Sequence, residues 1–175
     1  MSAFFGPIIQ VGYVVRDIEA AMNHWAHVLG VGPFIYKPDV NFAEISYRGA
    51  TVEGMTSAVA HAFSGDLDIE LIQPVSDGPS IYRDFLAEFG EGMQHLGVLV
   101  TDWDAQMEKA RELNWSPLQE GLTHQGVRFA YFDNASRHPG TMVEFIEHTA
   151  GFDAFMTRAK KAAAEWNGRD VFITR

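Results

Sequence analysis

Apolar and polar residues alternate along "IIQVGYVV", residues 8–15, which predicts a strand. Gln10, Gly12 and Val14 share one of its faces, and Val11, Tyr13 and Val15 the other. Asp17 then stands where a helix N-cap is needed, and Ile18, Met22, Trp25 and Leu29 follow at helical spacing. The same text is written again further along the chain. In "HLGVLV" from His95, His95, Gly97 and Leu99 share a face opposed by Leu96, Val98 and Val100. Asp102 takes the cap position, with Trp103, Met107, Ala110 and Leu113 on the helix face. The offset between copies is constant at 85 residues: Gln10 to His95, Asp17 to Asp102, Met22 to Met107.

Each copy continues alike. "SAVAHAFSGDLDIELIQP" and "VRFAYFDNASRHPGTMVEFIE" both read as strand, polar turn and closing strand, with "DIELI" matching "MVEFI" and Glu70 matching Glu144. The spacing there is 74 residues, Glu70 to Glu144, so the second copy is shorter inside. The pattern predicts an α+β fold of two βαβββ modules, residues 7–75 and 92–148, followed by a C-terminal helix and tail over 149–175. The helix is expected from about Phe152 to Asn167, and residues 33–50 read as a linker to a second strand. No Ser- or Pro-rich joint divides the halves, which predicts one compact unit.

Composition narrows the partners. The 175 residues are 47% hydrophobic, enough for one well-buried domain. Lys and Arg number 13 against 23 Asp and Glu, a net charge of −10 that disfavours nucleic acid and anionic membranes. No run of about eighteen apolar residues and no basic leader is present, so a cytoplasmic protein is expected. With no cysteine, any metal must be held by nitrogen and oxygen. The expected partners are a small-molecule substrate and a second copy of the chain, as a homodimer.

Four residues break the apolar strands. Gln10 and His95 open the first strand of each copy, and Glu70 and Glu144 sit midway along the closing strands. A carboxylate buried in such a strand costs several kcal/mol unless it is paired or bound to a cation. Any one of the four could be an ordinary rim residue. Four at matching repeat positions point instead to a shared site. One imidazole nitrogen, one amide oxygen and two carboxylates suit one divalent ion, with zinc, cobalt, nickel, manganese and ferrous iron all compatible.

On these residues, and on "IQPVSDGPSIYRDFLAEFGEGMQHLGVLV" and "HPGTMVEFIE", the chain resembles the vicinal-oxygen-chelate superfamily over about residues 7–148. That superfamily includes glyoxalase I, methylmalonyl-CoA epimerase, extradiol dioxygenases and bleomycin-resistance proteins. The resemblance implies paired βαβββ modules forming a cupped sheet around a metal, with Gln10, Glu70, His95 and Glu144 as ligands. The ligand set is similar to that of zinc-type glyoxalase I, and the two quoted segments to the epimerase branch. Positions that carry a glutathione-binding Arg and Asn in glyoxalase I hold Val14 and Pro74 here. The resemblance also implies Glu144 as catalytic base, with Glu70 its partner for the opposite face, and Phe129 and Tyr131 as pocket lining.

His61 shares a face with Phe63 by alternation, so both are candidate substrate contacts or plain strand residues; His124, in a polar loop, either covers the site or is exposed. The expected function is a metal-dependent lyase, isomerase or epimerase. It would move a proton at a carbon next to a metal-chelated carbonyl of a small organic or acyl-thioester substrate. The alternative is a non-catalytic protein that sequesters a small ligand in the same cup.

Overall fold

The computed structural model describes residues 5–132 and 140–174. The polar turn predicted before the last strand of the second half falls outside them.

The first half holds β1 (Ile8–Val14), α1 (Ile18–Leu29), β2 (Phe34–Val40), β3 (Phe42–Tyr47), β4 (Ala50–Thr51), β5 (Ser57–Ser64) and β6 (Leu67–Pro74). After α2 (Ile81–Glu88), the second holds β7 (Gly92–Val100), α3 (Trp103–Glu112), β8 (Gln119–Thr123), β9 (Arg128–Phe132) and β10 (Met142–Glu147). α4 (Ala150–Ala164) and β11 (Phe172–Thr174) complete the chain. The strands form one mixed, cupped sheet in the order β11-β2-β5-β6-β1-β7-β10-β9-β8-β3-β4. In each half the first strand pairs in parallel with the closing strand, β1 with β6 and β7 with β10. The halves join through the antiparallel pair β1–β7. The fold is thus α+β: a βαβββ core in each half, with β3 and β4 inserted between β2 and β5 of the first, and a C-terminal helix.

The linker expected over 33–50 is instead strand, β2 and β3 separated by Asn41 alone, with β4 beginning at its end. Two features hid it. Phe34, Ile35 and Tyr36 are buried consecutively, which erases alternation. Pro38 then falls inside a register irregularity between Lys37 and Val40, where a residue lacking an N–H is tolerated. β3 leaves its own half and pairs with β8 at the far end of the sheet. Helix α2 was not anticipated, and α4 begins two residues earlier than predicted and ends three earlier. Leu29 and Leu113, expected on apolar helix faces, are 52% and 39% exposed, because each stands where its helix ends.

Both predicted caps form. Asp17 accepts from Ala20 N at 2.9 Å and Asp102 from Ala105 N at 3.1 Å. Replacing Asp17 with Ala is expected to cost about 1 kcal/mol. This would be read as a lower urea midpoint at unchanged slope. Metal binding should not change; a variant that lost metal would show that the cap does more than start α1.

α1 covers one outer region of the sheet, over Val15, Ala58, Ala60, Ile69 and Leu71, and α3 the other, over Val98, Val100, Phe132 and Phe145. The inner face is filled by Val14, Ile72, Phe129 and Tyr131 against Ile81, Tyr82 and Phe85 of α2, with Ile45 and Tyr47 of β3. What remains polar on that face is the site.

Candidate metal centre

Two rows of side chains cross the sheet perpendicular to its strands. One runs His61, Glu70, Gly12, His95, Met142 through β5, β6, β1, β7 and β10. The other runs Asp68, Gln10, Gly97, Glu144, Tyr131 through β6, β1, β7, β10 and β9. A pseudo-two-fold at the β1–β7 joint exchanges the rows, pairing Gln10 with His95, Glu70 with Glu144, and His61 with Tyr131. Each row carries one glycine, and each glycine faces the first-strand polar residue of the opposite half. A Cβ on Gly12 would lie 1.8 Å from His95 Cε1, and one on Gly97 would lie 2.5 Å from Gln10 Oε1. The repeated glycines therefore leave room for the imidazole and the carboxamide.

Glu70, His95 and Glu144 come together, and Gln10 lies on the same face, across Gly97 from Glu144. His95 Nε2 is 3.2 Å from Glu70 Oε2 and 3.4 Å from Glu144 Oε2. Donor atoms of Glu70, His95 and Glu144 all lie within 4.8 Å of one another. His95 is 0% exposed, Gln10 3%, Glu144 6% and Glu70 8%. Each presents a buried atom without a hydrogen-bond partner: Gln10 Oε1, Glu70 Oε2, His95 Nε2 and Glu144 Oε2. Buried polar atoms are seldom left unsatisfied, because each costs about 1–3 kcal/mol. Four together, all able to donate a lone pair, fit a divalent cation.

The surroundings aim these atoms. Gln94 Nε2 donates to Ile81 O at 3.1 Å, so Gln94 Oε1 is left to accept from His95 Nδ1 at 3.2 Å. A neutral His95 then carries its hydrogen on Nδ1 and its lone pair on Nε2, toward the cluster. On the other side, Gln10 Nε2 donates to Asp68 Oδ2 at 3.0 Å, and His61 Nδ1 lies 3.0 Å from the same oxygen. His61 Nε2 is 3.6 Å from Glu70 Oε1. Tyr82 donates to Tyr131 Oη at 3.1 Å, and the Tyr131 ring stands edge-on to His95, with centroids 5.1 Å apart.

Charge is crowded here. Burial pushes the Glu144 carboxyl up to about 7; His95 pulls it down, and the neighbouring negative charge of Glu70 adds to the rise. Burial also raises Glu70, but His95 and His61 beside it hold it below the usual carboxylate range. Burial alone would lower His95, yet Glu70 and Glu144 raise it. Burial, and then the two carboxylates, drive Tyr82 well above its usual value. Two buried carboxylates share one site comfortably only when positive charge joins them.

Of the candidate substrate contacts, His61 reaches Glu70, and Phe129 and Tyr131 line the inner face. Phe63 shares that face but is covered by α4, packed with Ile35 and Ala159. His124 is exposed in the β8–β9 turn. It lines a cleft of about 870 Å³ beside β3 and β8, with Phe129 also on its wall. Asp68, Gln94 and Tyr82 were missed. Alternation along "DIELI" places Asp68 on the face of Glu70, a signal that was available; Gln94 and Tyr82 carry no such mark.

Among the described residues no helix is long and apolar enough to cross a membrane. No curated protein matches the chain by sequence. Solved structures do. Methylmalonyl-CoA epimerase from Mycobacterium tuberculosis is similar at 19% identity with a TM-score of 0.62, over 88% of this chain and 95% of that one. A variant of the Streptomyces coelicolor methylmalonyl-CoA epimerase in complex with 2-nitronate-propionyl-CoA is similar at 20% identity and a TM-score of 0.62, over 83% and 99%. A hypothetical protein from Bacillus halodurans is similar at 18% and 0.61, over 82% and 94%. At these identities the likeness is one of fold. The sequence itself matches a family model over residues 9–131, and the chain belongs to the glyoxalase/bleomycin resistance protein/dioxygenase superfamily.

Proposed function

We propose that the protein is a metal-dependent isomerase or lyase that moves a proton at a carbon next to a carbonyl. The observation that carries this reading is the set of four unsatisfied buried donor atoms on Gln10, Glu70, His95 and Glu144. These residues would hold one divalent ion: zinc, cobalt, nickel, manganese or ferrous iron. When bound, such an ion supplies positive charge where a substrate oxygen gains electron density, which acidifies the adjacent C–H.

The chain's own groups do the rest. Glu144 is the base, its carboxylate taking the proton from carbon and holding it for return. Glu70 comes from the opposite half and is related to Glu144 by the pseudo-two-fold. The pair therefore suits removal of a proton on one face and delivery on the other, as epimerisation requires. Phe129, Tyr131 and Tyr82 are buried together on the inner face and would form the apolar wall beside the reacting carbon. A small organic molecule or an acyl thioester is the substrate class. The propionyl-CoA analogue held by the Streptomyces coelicolor neighbour supports the thioester within that class.

Protein purified without chelators is expected to carry about one divalent ion per chain, lost in His95→Ala and Glu144→Ala. Reloading the metal-free protein should raise its melting temperature. An ion at 100 times its dissociation constant adds about 2.7 kcal/mol to stability. Elemental analysis and a thermal melt read both effects. Less than roughly a tenth of an equivalent after reconstitution with all five metals would remove the site, since a bound native state must then be absent.

A further inference from the structure

Gln10 differs from the other three donors in one respect. Its side chain is a plane whose two ends have nearly the same shape, one an acceptor oxygen and the other a two-hydrogen donor. The end that faces Glu70, His95 and Glu144 is decided by what holds the opposite end. That partner is Asp68, whose Oδ2 accepts from Gln10 Nε2 at 3.0 Å in a pair 3% and 1% exposed. A carboxylate has no hydrogen to give. Turning the amide over would set oxygen against oxygen and point two N–H groups at the cation site.

We infer that Asp68 is a positioning residue that makes Gln10 an oxygen donor, an inference that rests on the metal reading above. The arrangement is built in twice. Gln10 and Asp68 are register partners across β1 and β6, so the backbone sets their spacing. His61 Nδ1 lies 3.0 Å from the same Asp68 oxygen and anchors it from the other side. The repeat supplies a contrast. Met142 stands where Asp68 would be in the second half, two residues before Glu144 as Asp68 is before Glu70. There the first-strand ligand is His95, and Gln94 orients it instead. Each half thus holds its ligand with a group suited to that ligand's chemistry.

The test exchanges the two ends of the hydrogen bond, and the double variant does so without changing net charge. Metal-free wild type, Asp68→Asn, Gln10→Glu and the double variant are titrated with cobalt(II) and followed by visible absorption. Zinc(II) competition gives the affinity, and circular dichroism checks the fold. In Asp68→Asn the new amide satisfies either end of Gln10, so cobalt affinity should fall about tenfold or more. In Gln10→Glu two buried carboxylates face each other, and affinity should fall as well. The double variant should return to within about threefold of wild type, a strong non-additivity. There the amide installed at position 68 can donate one hydrogen to the carboxylate at position 10 and the other to His61 Nδ1. That leaves the second oxygen of the new carboxylate for the cation.

The inference is overturned if folded Asp68→Asn binds cobalt within about twofold of wild type, or if the double variant is no better than the weaker single one. Should a single variant fail to fold, the folded double decides alone, near-wild-type affinity supporting the inference and weak binding overturning it. A wild type that binds neither cobalt nor zinc removes the metal reading itself, and this inference with it.

Discussion

Gly12→Ala is expected to abolish divalent-metal binding outright, although the substitution adds only a methyl group at a position that touches no solvent-facing chemistry. The added carbon would sit 1.8 Å from His95 Cε1, 2.1 Å from Nε2 and 2.4 Å from Nδ1. Real contacts between such atoms are about twice as long, near 3.5–4.0 Å. The ring has nowhere to go: it is fully buried, tied through Nδ1 to Gln94 and packed against Tyr131. Either the imidazole swings out and the site loses its nitrogen, or β1 and β7 separate. Overpacking of this kind typically costs about 1–3 kcal/mol and occasionally more, and the upper end applies where the obstacle is a locked ring. Gly97→Ala should also disturb the site, because its added carbon would lie 2.5 Å from Gln10 Oε1 and 2.8 Å from Gln10 Cβ, and that side chain is buried and tied to Asp68. Elemental analysis and urea denaturation report on both variants. A Gly12→Ala protein with a full equivalent of metal and the wild-type midpoint would mean that His95 is not a ligand.

The second large effect separates ligand from base. Glu144→Gln keeps the size of the side chain and one coordinating oxygen, but an amide cannot take a proton at neutral pH. It should retain most of the metal yet lose solvent-deuterium exchange into substrate by ~10²–10⁴-fold, the usual worth of a positioned general base. Glu70→Gln should be comparably severe if protons move on both faces, and clearly milder if Glu144 acts alone. The measurement is exchange on metal-replete variants with a candidate acyl thioester. Full exchange activity in Glu144→Gln would leave Glu144 a ligand and nothing more.

What could be read in advance, and what could not, follows from range. The faces of β1 and β7 were legible because alternation is local: Val11, Tyr13 and Val15 pack with the α1 layer, while Gln10 and Val14 turn inward. Glu70, His95 and Glu144 converge, with Gln10 on the same face, because the chain repeats itself, and a repeat folded twice generates its own symmetry. The strands over 34–47 were illegible because their evidence is not local. β2 is buried on consecutive residues, and β3 finds its partner, β8, some seventy-odd residues away, from Tyr47 to Gln119. The orienting groups were harder still. Asp68 matters because it lies opposite Gln10 in the parallel pair of β1 and β6, and Gln94 because Ile81 O lies within its reach. Register across strands sets the first and the docking of α2 the second. A single chain of letters displays neither until it is folded.

The excursion of β3 bears on how this protein stays apart from its neighbours. An open sheet ends in strands whose N–H and C=O groups are unpaired, and such edges invite other chains to add on. Here each half has its outer strand covered by a borrowed one. β8 is flanked by β3 from the first half, and β2 is flanked by β11, which follows the second half. Among the described residues the sheet then ends on β4 and β11, strands of two and three residues. Edges that short template a foreign strand poorly. The cover is partial: β11 pairs with Phe34, Ile35 and Tyr36 of β2, and β4 with Ser46 and Tyr47 of β3, so each of these short strands shields one end of the strand behind it.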